Sequence, residues 1–160
     1  KGPIFYSQVR TGFKNKTFTI IKLRTMKNLS EKNGPVWAAK NDSRITNTGK
    51  LLRRTRIDEL PQLISVLIGD MSLIGPRPER PEIELTLKKE IPFYAIRHKV
   101  KPGLSGWAQV NYPYSASVKD SENKISYDFF YIRNYSFLLD LLIFIKTIKT
   151  IFIMKGSNPS

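Results

Sequence analysis

The sequence predicts an α+β fold that is mostly helical, with a small N-terminal β-hairpin and amphipathic helices for a membrane interface. Two short runs rich in aromatic and β-branched residues, 4–9 and 17–23, predict the strands of the hairpin. Farther along the chain, apolar residues recur at helical spacing. The apolar run at 136–154 is interrupted by charged residues, which fits a helix in a membrane interface or a core helix with exposed lysines.

The first third of the chain supplies the hairpin, a polar segment and one helix. Residues 11–16 lie between the two strands and are expected to form the turn. Residues 28–47 are polar and are expected to form a loop that carries Trp37. A helix is predicted at 50–57, where two leucines lie beside a face of arginines.

A second helix is predicted to begin at Pro61, because proline is tolerated in a first helical turn and leucines then recur at helical spacing. This start places Asp58 and Glu59 at or just before a helix N-terminus, where the helix dipole favours negative charge. The remaining predictions are helices at 81–90, 120–134 and 136–154, with an irregular or extended segment at 104–110.

Length and composition indicate one domain and limit its chemistry. A chain of 160 residues is long enough for one domain with its own core, so residues 1–160 are interpreted as a single domain. The sequence contains no cysteine and only one histidine, His98, which excludes thiolate chemistry and a histidine metal cluster. Any metal is then expected to be a hard cation on oxygen ligands, and Mg²⁺ fits best.

Most of the net charge of +14 lies in the first third of the chain. Residues 1–57, termed the basic platform, contain 14 Lys or Arg and two acidic residues, which gives +12. Such a surface favours nucleic acid, anionic lipid headgroups or nucleotide phosphates as partners. No uncharged apolar stretch reaches the length of a membrane span, so no span is expected in this chain. The sequence lacks an initiator methionine, and we therefore expect a fragment whose upstream part is absent.

The residues that carry chemistry are concentrated in 56–78. The adjacent carboxylates Asp58 and Glu59 lie beside cationic side chains, and Arg77 lies between two prolines. A carboxylate near several cations stays ionised and is available as a nucleophile, a base or a metal ligand. An arginine with proline neighbours presents its planar fork at a nearly fixed angle, which suits a phosphate. Together these residues indicate phosphoryl chemistry on a polyanionic substrate.

With these motifs the chain resembles the bacterial sugar transferases, the monotopic polyprenyl-phosphate phosphoglycosyl transferases that start exopolysaccharide and O-antigen synthesis. The resemblance covers nearly the whole chain in order. The matching segments are Gly2–Phe5, Phe18–Met26, Asp58–Leu63, Gly69–Pro78, Arg97–Asn111, Tyr127–Asp128 and Leu138–Leu141. One departure is Asn111-Tyr112-Pro113-Tyr114, where the family commonly has Asn-Gly, and this leaves the sugar preference open.

The resemblance implies a reaction and a location. A UDP-sugar transfers its phosphosugar to undecaprenyl phosphate and releases UMP, on the anionic cytoplasmic face of the bacterial inner membrane. In the family the aspartate of the Asp-Glu pair is both the covalent nucleophile and a Mg²⁺ ligand, and here that residue is Asp58. The family's catalytic domain follows a hydrophobic membrane segment, so we expect such a segment upstream of this chain.

Each expected site residue also has a plainer interpretation. Asp58 is expected to be the nucleophile and can also cap a helix. Glu59 is expected to act as a base or to position a metal-bound water, or else it is a solvated first-turn glutamate. Arg77, Lys22 and Arg24 are expected to bind phosphate; the alternatives are a surface ion pair for Arg77 and a membrane-facing basic patch for the other two.

His98 and Asp140 complete the expected set. His98 is expected to contact a nucleotide or lipid phosphate, or else it is structural. Asp140 interrupts an apolar run and is expected to pair with a phosphate-binding arginine or to assist the metal, unless it is an interfacial turn residue. Trp107 and Trp37 are candidates for stacking on uracil or for the lipid interface, with a core position as the alternative for Trp107.

The alternative function is a non-catalytic basic module that binds a membrane or a nucleic acid. Nucleic-acid binding is not expected, because the sequence shows no RNA-binding module in which basic residues alternate with stacking aromatics. Release of UMP from UDP-sugars would separate an enzyme from such a module.

Overall fold

In the computed structural model, which describes residues 2–28, 42–113 and 117–152, the chain is mostly helical with a small antiparallel N-terminal hairpin. This confirms the predicted fold class. Strand β1 (Phe5–Thr11) pairs with β2 (Thr17–Leu23), with Phe5 opposite Leu23 and Thr11 opposite Thr17. The predicted turn between them contains a short 3₁₀-helix, Phe13–Asn15, in which Lys14 and Asn15 have positive φ angles of 54° and 61°.

The chain after the hairpin is anchored against the end of β2. Helix α1 (Asn47–Thr55) begins behind Thr46, whose hydroxyl accepts a hydrogen bond from the backbone N–H of Gly49 at 3.0 Å. A Cβ on Gly49 would lie 2.0 Å from the carbonyl oxygen of Thr25, so only glycine permits this close approach. Most of the predicted loop at 28–47, including Trp37, lies outside the described residues.

The helix expected to begin at Pro61 starts earlier and is interrupted. A 3₁₀-helix covers Ile57–Gln62, and helix α2 (Leu63–Leu67) follows it directly. Asp58 and Glu59 therefore lie inside the first turn of the 3₁₀-helix. The boundary with α1 is Arg56, which takes a left-handed conformation at φ 60° and turns the chain.

A second, two-stranded sheet was not predicted. Strand β3 (Ser72–Ile74) pairs in parallel with β4 (Gly103–Ser105). Strands of three residues are too short to show a period of two, which explains the omission. The segment expected to be irregular or extended at 104–110 was predicted wrongly in part, since helix α4 (Trp107–Asn111) follows β4. Trp107 and Val110, three positions apart, both pack on the core cluster of Ile74, Tyr131 and Ile143, so tertiary packing sets this helix.

Three longer helices complete the fold, all close to the predicted positions. They are α3 (Pro81–Glu90), α5 (Val118–Asn134) and α6 (Phe137–Phe152). A 3₁₀-helix, Tyr94–Lys99, lies between α3 and β4. One core cluster joins α3 and α5 through Leu87, Ile91, Tyr94 and Ile125, and the second joins β3, α5 and α6. Within the described residues, none of these helices has the length and apolar character needed to cross a bilayer.

Candidate active site

Three separate parts of the chain bring charged side chains together beside the hairpin. Lys22 comes from β2, Asp58 and Glu59 from the 3₁₀-helix Ile57–Gln62, and Arg77 from the loop after β3. The left-handed turn at Arg56 redirects the chain so that this 3₁₀-helix packs against β2. The structure therefore assembles four of the residues predicted from sequence into one cluster.

Glu59 is the centre of the ion pairs. Its Oε1 lies 2.9 Å from Lys22 Nζ and 2.5 Å from a terminal guanidinium nitrogen of Arg77. Its Oε2 lies 3.8 Å from a guanidinium nitrogen of Arg56. The side chain of Glu59 is 11% exposed and that of Arg77 is 34% exposed, so the carboxylate is covered while the guanidinium still reaches solvent.

The ion pairs decide the protonation state of Glu59. Burial alone would raise the pKa of this carboxyl, but Arg77 and Lys22 together hold it well below its ordinary value of 4.5. Burial also lowers the pKa of Lys22 to about 8, despite the opposing attraction of Glu59. Glu59 is thus a fixed negative charge that organises the cations, and a carboxylate with so low a pKa is a poor general base.

Asp58 has a different environment from its neighbour. It is buried, and its Oδ1 has no hydrogen-bond partner among the described residues. Burial and the repulsion from Glu59 raise the pKa of Asp58 above its ordinary value, although Lys22, Arg53 and Arg77 oppose the shift. The neighbouring cations therefore do not outweigh burial at Asp58, because the direct ion pairs of Lys22, Arg56 and Arg77 go to Glu59. An unpartnered carboxylate oxygen beside a cationic cluster is nonetheless placed to meet an electrophile or a metal ion.

A magnesium ion fits the donor chemistry of this site. Within the described part of the chain, no group of three or more acidic or histidine side chains is placed to hold a metal by itself. Mg²⁺, however, is commonly bound by one or two carboxylates, with substrate phosphates and waters as the other ligands. The buried Oδ1 of Asp58, which lacks a protein partner among the described residues, is suited to be such a carboxylate ligand.

Two of the predicted phosphate-binding residues make their contacts elsewhere. Arg24 donates from Nε to the carbonyl oxygen of Pro3 at 2.6 Å and from a terminal nitrogen to that of Met26 at 3.2 Å. His98 is buried, and its Nε2 lies 2.6 Å from a carboxylate oxygen of the buried Glu84. These contacts favour a structural role for His98 and an anchoring role for Arg24 at the N-terminal segment.

Asp140 is also held by a neighbour outside the charged cluster. It accepts a hydrogen bond from the Tyr131 hydroxyl at 2.8 Å, between α5 and α6. The Tyr131 hydroxyl explains how Asp140 is accommodated in an apolar run, and no arginine or metal is needed as its partner. Trp107 packs against the second core cluster, where its ring stacks on Phe130 with centroids 5.5 Å apart. The core interpretation of Trp107 is the one that these contacts favour.

Sequence reasoning missed two features of the site. Arg56 was grouped with Arg53 and Arg54 as a general basic face, yet it pairs with Glu59, while Arg53 donates to the hydroxyl of Thr25 at 2.9 Å. The second feature is the buried pair of Arg97 and Asp128, with 2.9 Å between nitrogen and oxygen. An aspartate inside the aromatic run 127–131 was an available signal, because a buried carboxylate requires a cationic partner.

Comparison with known proteins identifies the family. The family model described as bacterial sugar transferase matches residues 1–154. The chain is 51% identical over 150 residues to a UDP-N-acetylgalactosamine-undecaprenyl-phosphate N-acetylgalactosaminephosphotransferase of Aeromonas hydrophila, covering 94% of this chain and 36% of that protein. It is 41% identical over 159 residues to a UDP-glucose:undecaprenyl-phosphate glucose-1-phosphate transferase of Klebsiella pneumoniae, covering 98% of this chain and 34% of that protein.

A protein of the same name from Escherichia coli is 38% identical over 158 residues, again covering 98% of this chain and 34% of the relative. The chain thus spans about a third of the length of these curated relatives. Because the family model extends over almost all of the sequence and the charged cluster lies inside the matched region, the chain belongs to the bacterial sugar transferase family.

Proposed function

We propose that this domain transfers a phosphosugar from a UDP-sugar to undecaprenyl phosphate and releases UMP. The observation that carries the proposal is the pairing of two unlike carboxylates. Asp58 keeps a buried oxygen without a partner among the described residues, and Glu59 holds three cations beside it. The relatives from Aeromonas hydrophila, Klebsiella pneumoniae and Escherichia coli are named as transferases that use undecaprenyl phosphate, which supports the same substrates here.

The proposed reaction has two displacements at one phosphorus. A carboxylate oxygen of Asp58 attacks the sugar-bearing phosphorus of the donor, and the bridging P–O bond to the uridine monophosphate portion breaks. UMP leaves with the bridging oxygen, and the phosphosugar remains on Asp58 as an acyl phosphate. An oxygen of undecaprenyl phosphate then attacks the same phosphorus and displaces the Asp58 carboxylate, which is thereby regenerated.

The cationic cluster supplies the charge stabilisation that this reaction requires. The diphosphate of the donor is anionic, and attack by a carboxylate adds to the negative charge at the reacting phosphorus. Arg77 is partly exposed and can offer its planar fork to phosphate oxygens, while Lys22 adds a second positive charge. Glu59 keeps both side chains in place. Bound Mg²⁺, held by Asp58 together with the donor phosphates, would neutralise further charge on the diphosphate.

The test of this function is UMP release by the full-length protein in membranes, with Mg²⁺ and undecaprenyl phosphate, across a panel of UDP-sugars. Transfer from UDP-N-acetylgalactosamine or UDP-glucose, the donors in the names of the relatives, would support the proposal. Absence of UMP release with every donor would refute it and would favour the alternative of a non-catalytic basic module.

We also propose that the domain lies on an anionic membrane surface. Helices α2 and α6 both contact β3, and each exposes large apolar side chains. Those at least half exposed on or next to the two helices are Ile64, Leu67, Ile68, Phe137, Leu138, Ile145 and Phe152. Such a surface fits insertion at the depth of the lipid headgroups. The basic platform adds an attraction to anionic lipid, by roughly 1 kcal/mol for each basic residue near the surface.

Binding of the chain to vesicles is expected to weaken as salt rises, because salt screens the attraction of the basic platform. Sedimentation with phosphatidylserine-containing vesicles, compared with neutral phosphatidylcholine vesicles, measures this effect.

Leu67, which is 86% exposed on α2, tests the contribution of the exposed apolar side chains to vesicle binding. Leu67→Glu is expected to reduce binding at every salt concentration, whereas Leu85→Glu, at a 65% exposed position on α3, is the matched control. Binding that is indifferent to salt, lipid charge and Leu67→Glu would contradict the membrane proposal.

A further inference from the structure

The loop that carries Arg77 is held in place through its backbone carbonyl groups. Four consecutive carbonyl oxygens, those of residues 76–79, each accept a hydrogen bond from a different group. The donors are the backbone N–H of Gly103, the side chains of Arg97 and Arg10, and the backbone N–H of Thr11, at 2.9, 2.7, 3.1 and 2.9 Å respectively. The carbonyl of Arg77 itself is the one held by Arg97.

Arg97 is built into the fold so that it cannot move easily. It is 7% exposed, and a terminal guanidinium nitrogen lies 2.9 Å from a carboxylate oxygen of Asp128 on α5. Another terminal nitrogen donates to the hydroxyl of Tyr94, and the guanidinium carbon lies 5.0 Å from the centroid of that ring. Asp128 is itself 4% exposed, so the ion pair is enclosed by protein.

Burial separates the role of Arg97 from that of Arg77. Arg77 is partly exposed and reaches Glu59, whereas Arg97 lies behind the loop and its polar contacts are with protein groups. The terminal nitrogens of Arg97 are thus engaged by Asp128, Tyr94 and the Arg77 carbonyl. The contact with the Arg77 carbonyl links α5, through Asp128, to the backbone from which the Arg77 side chain projects.

We infer that Arg97, anchored by Asp128, is a positioning residue that sets the direction in which Arg77 presents its guanidinium to the donor diphosphate. This inference rests on the proposed function. Proline on both sides of Arg77 limits the φ angles of the loop, and the Arg97 contact restricts the remaining freedom of the peptide between Arg77 and Pro78. A displacement of about 1 Å of a substrate-positioning group costs about a hundredfold in rate, so a well-fixed loop has a large effect on turnover.

The test is a double-mutant cycle on kcat/KM for the UDP-sugar, measured with the full-length protein. Arg97→Lys keeps the charge but loses the fork that bonds Asp128, Tyr94 and the Arg77 carbonyl together. If Arg97 acts through Arg77, Arg97→Lys should lower kcat/KM at least about tenfold in the wild type and less than about twofold in an Arg77→Ala background. A purely structural role predicts the same loss in both backgrounds.

Two controls separate this result from general damage to the fold. Glu84→Gln breaks another ion pair of a buried carboxylate, that of Glu84 with Lys88, and neither residue bonds the Arg77 carbonyl. It should leave donor kcat/KM within about twofold of wild type per folded molecule, because neither Glu84 nor Lys88 belongs to the charged cluster around Glu59. If Arg97→Lys does not fold, Asp128→Asn carries the same cycle, since it removes the anchor and keeps the Arg97 guanidinium.

Equal losses in both Arg77 backgrounds, or no loss from a folded Arg97 variant, would overturn the inference while the proposed function stands. A wild-type protein that releases no UMP would refute the proposed function, and the inference with it.

Discussion

Replacing Asp58 with asparagine is expected to reduce UMP release on the order of 10⁴-fold or more, because the variant lacks the covalent nucleophile. Asparagine has the same shape but lacks a carboxylate that can form an acyl phosphate. The measurement is steady-state UMP release by the full-length protein at saturating UDP-sugar and Mg²⁺. A matched control is Asp120→Asn, which changes a carboxylate at the start of α5 that the Ser117 hydroxyl contacts.

The stability of the Asp58→Asn protein gives an independent check. Burial and Glu59 raise the pKa of Asp58, so the negative charge at this position is disfavoured in the folded state. Removing that charge should leave the midpoint of denaturant unfolding unchanged or slightly higher. Such a result is typical of a residue that is kept for activity at a cost in stability. Turnover of Asp58→Asn within a few-fold of wild type would exclude Asp58 as the nucleophile.

Replacing Glu59 with glutamine is expected to reduce turnover about a hundredfold, because an active-site displacement near 1 Å costs that much. The amide cannot neutralise Lys22, Arg77 and Arg56, whose cationic groups now surround the carboxylate. These cations would repel one another and Arg77 would lose its fixed direction. The change should also destabilise the fold by about 3 kcal/mol, the usual cost of removing one partner of a buried ion pair.

The destabilisation by Glu59→Gln should depend on pH in a defined direction. The folded-state pKa of Glu59 lies well below its ordinary value of 4.5, so its ion pairs stabilise the fold above that value and lose their effect as the pH falls through the folded-state pKa. The difference in free energy of unfolding between wild type and variant should therefore be full at neutral pH and shrink in acid. Denaturant titrations at several pH values measure it. Glu84→Gln, which also removes a buried carboxylate from an ion pair, is the control and should keep normal turnover.

The elements that could be predicted from sequence are those with strong local signals. The strand at 17–23 and the helix at 81–90 have the observed bounds, because β-branched residues mark the first, and acidic-to-basic order with an initial proline marks the second. The two three-residue strands were not predicted, and the region of α4 was predicted to be irregular or extended. Their conformations depend on contacts between segments about 30 residues apart in sequence, as in the pairing of Ser72 with Gly103.

Four members of the charged cluster could be predicted from sequence, but the ion pairs between them could not. Adjacent carboxylates and nearby cations indicate a phosphate site, and Lys22, Asp58, Glu59 and Arg77 do meet. Which carboxylate takes the cations depends on the left-handed turn at Arg56 and on the side of the 3₁₀-helix that faces β2, and spacing alone does not reveal either. The same limit applies to Arg97, since its contact with the Arg77 carbonyl joins residues that are 20 positions apart.

If Asp58 carries the phosphosugar between two displacements, the mass of the peptide that contains Asp58 reveals it directly. The full-length protein is incubated with UDP-sugar and Mg²⁺ in the absence of undecaprenyl phosphate and quenched rapidly, because acyl phosphates are labile. We expect a gain of one phosphosugar on that peptide and a burst of UMP equal to the amount of enzyme, and we expect neither in Asp58→Asn. An unmodified peptide, with UMP released only when acceptor is added and with intersecting double-reciprocal lines, would contradict this expectation and would show direct transfer in a ternary complex.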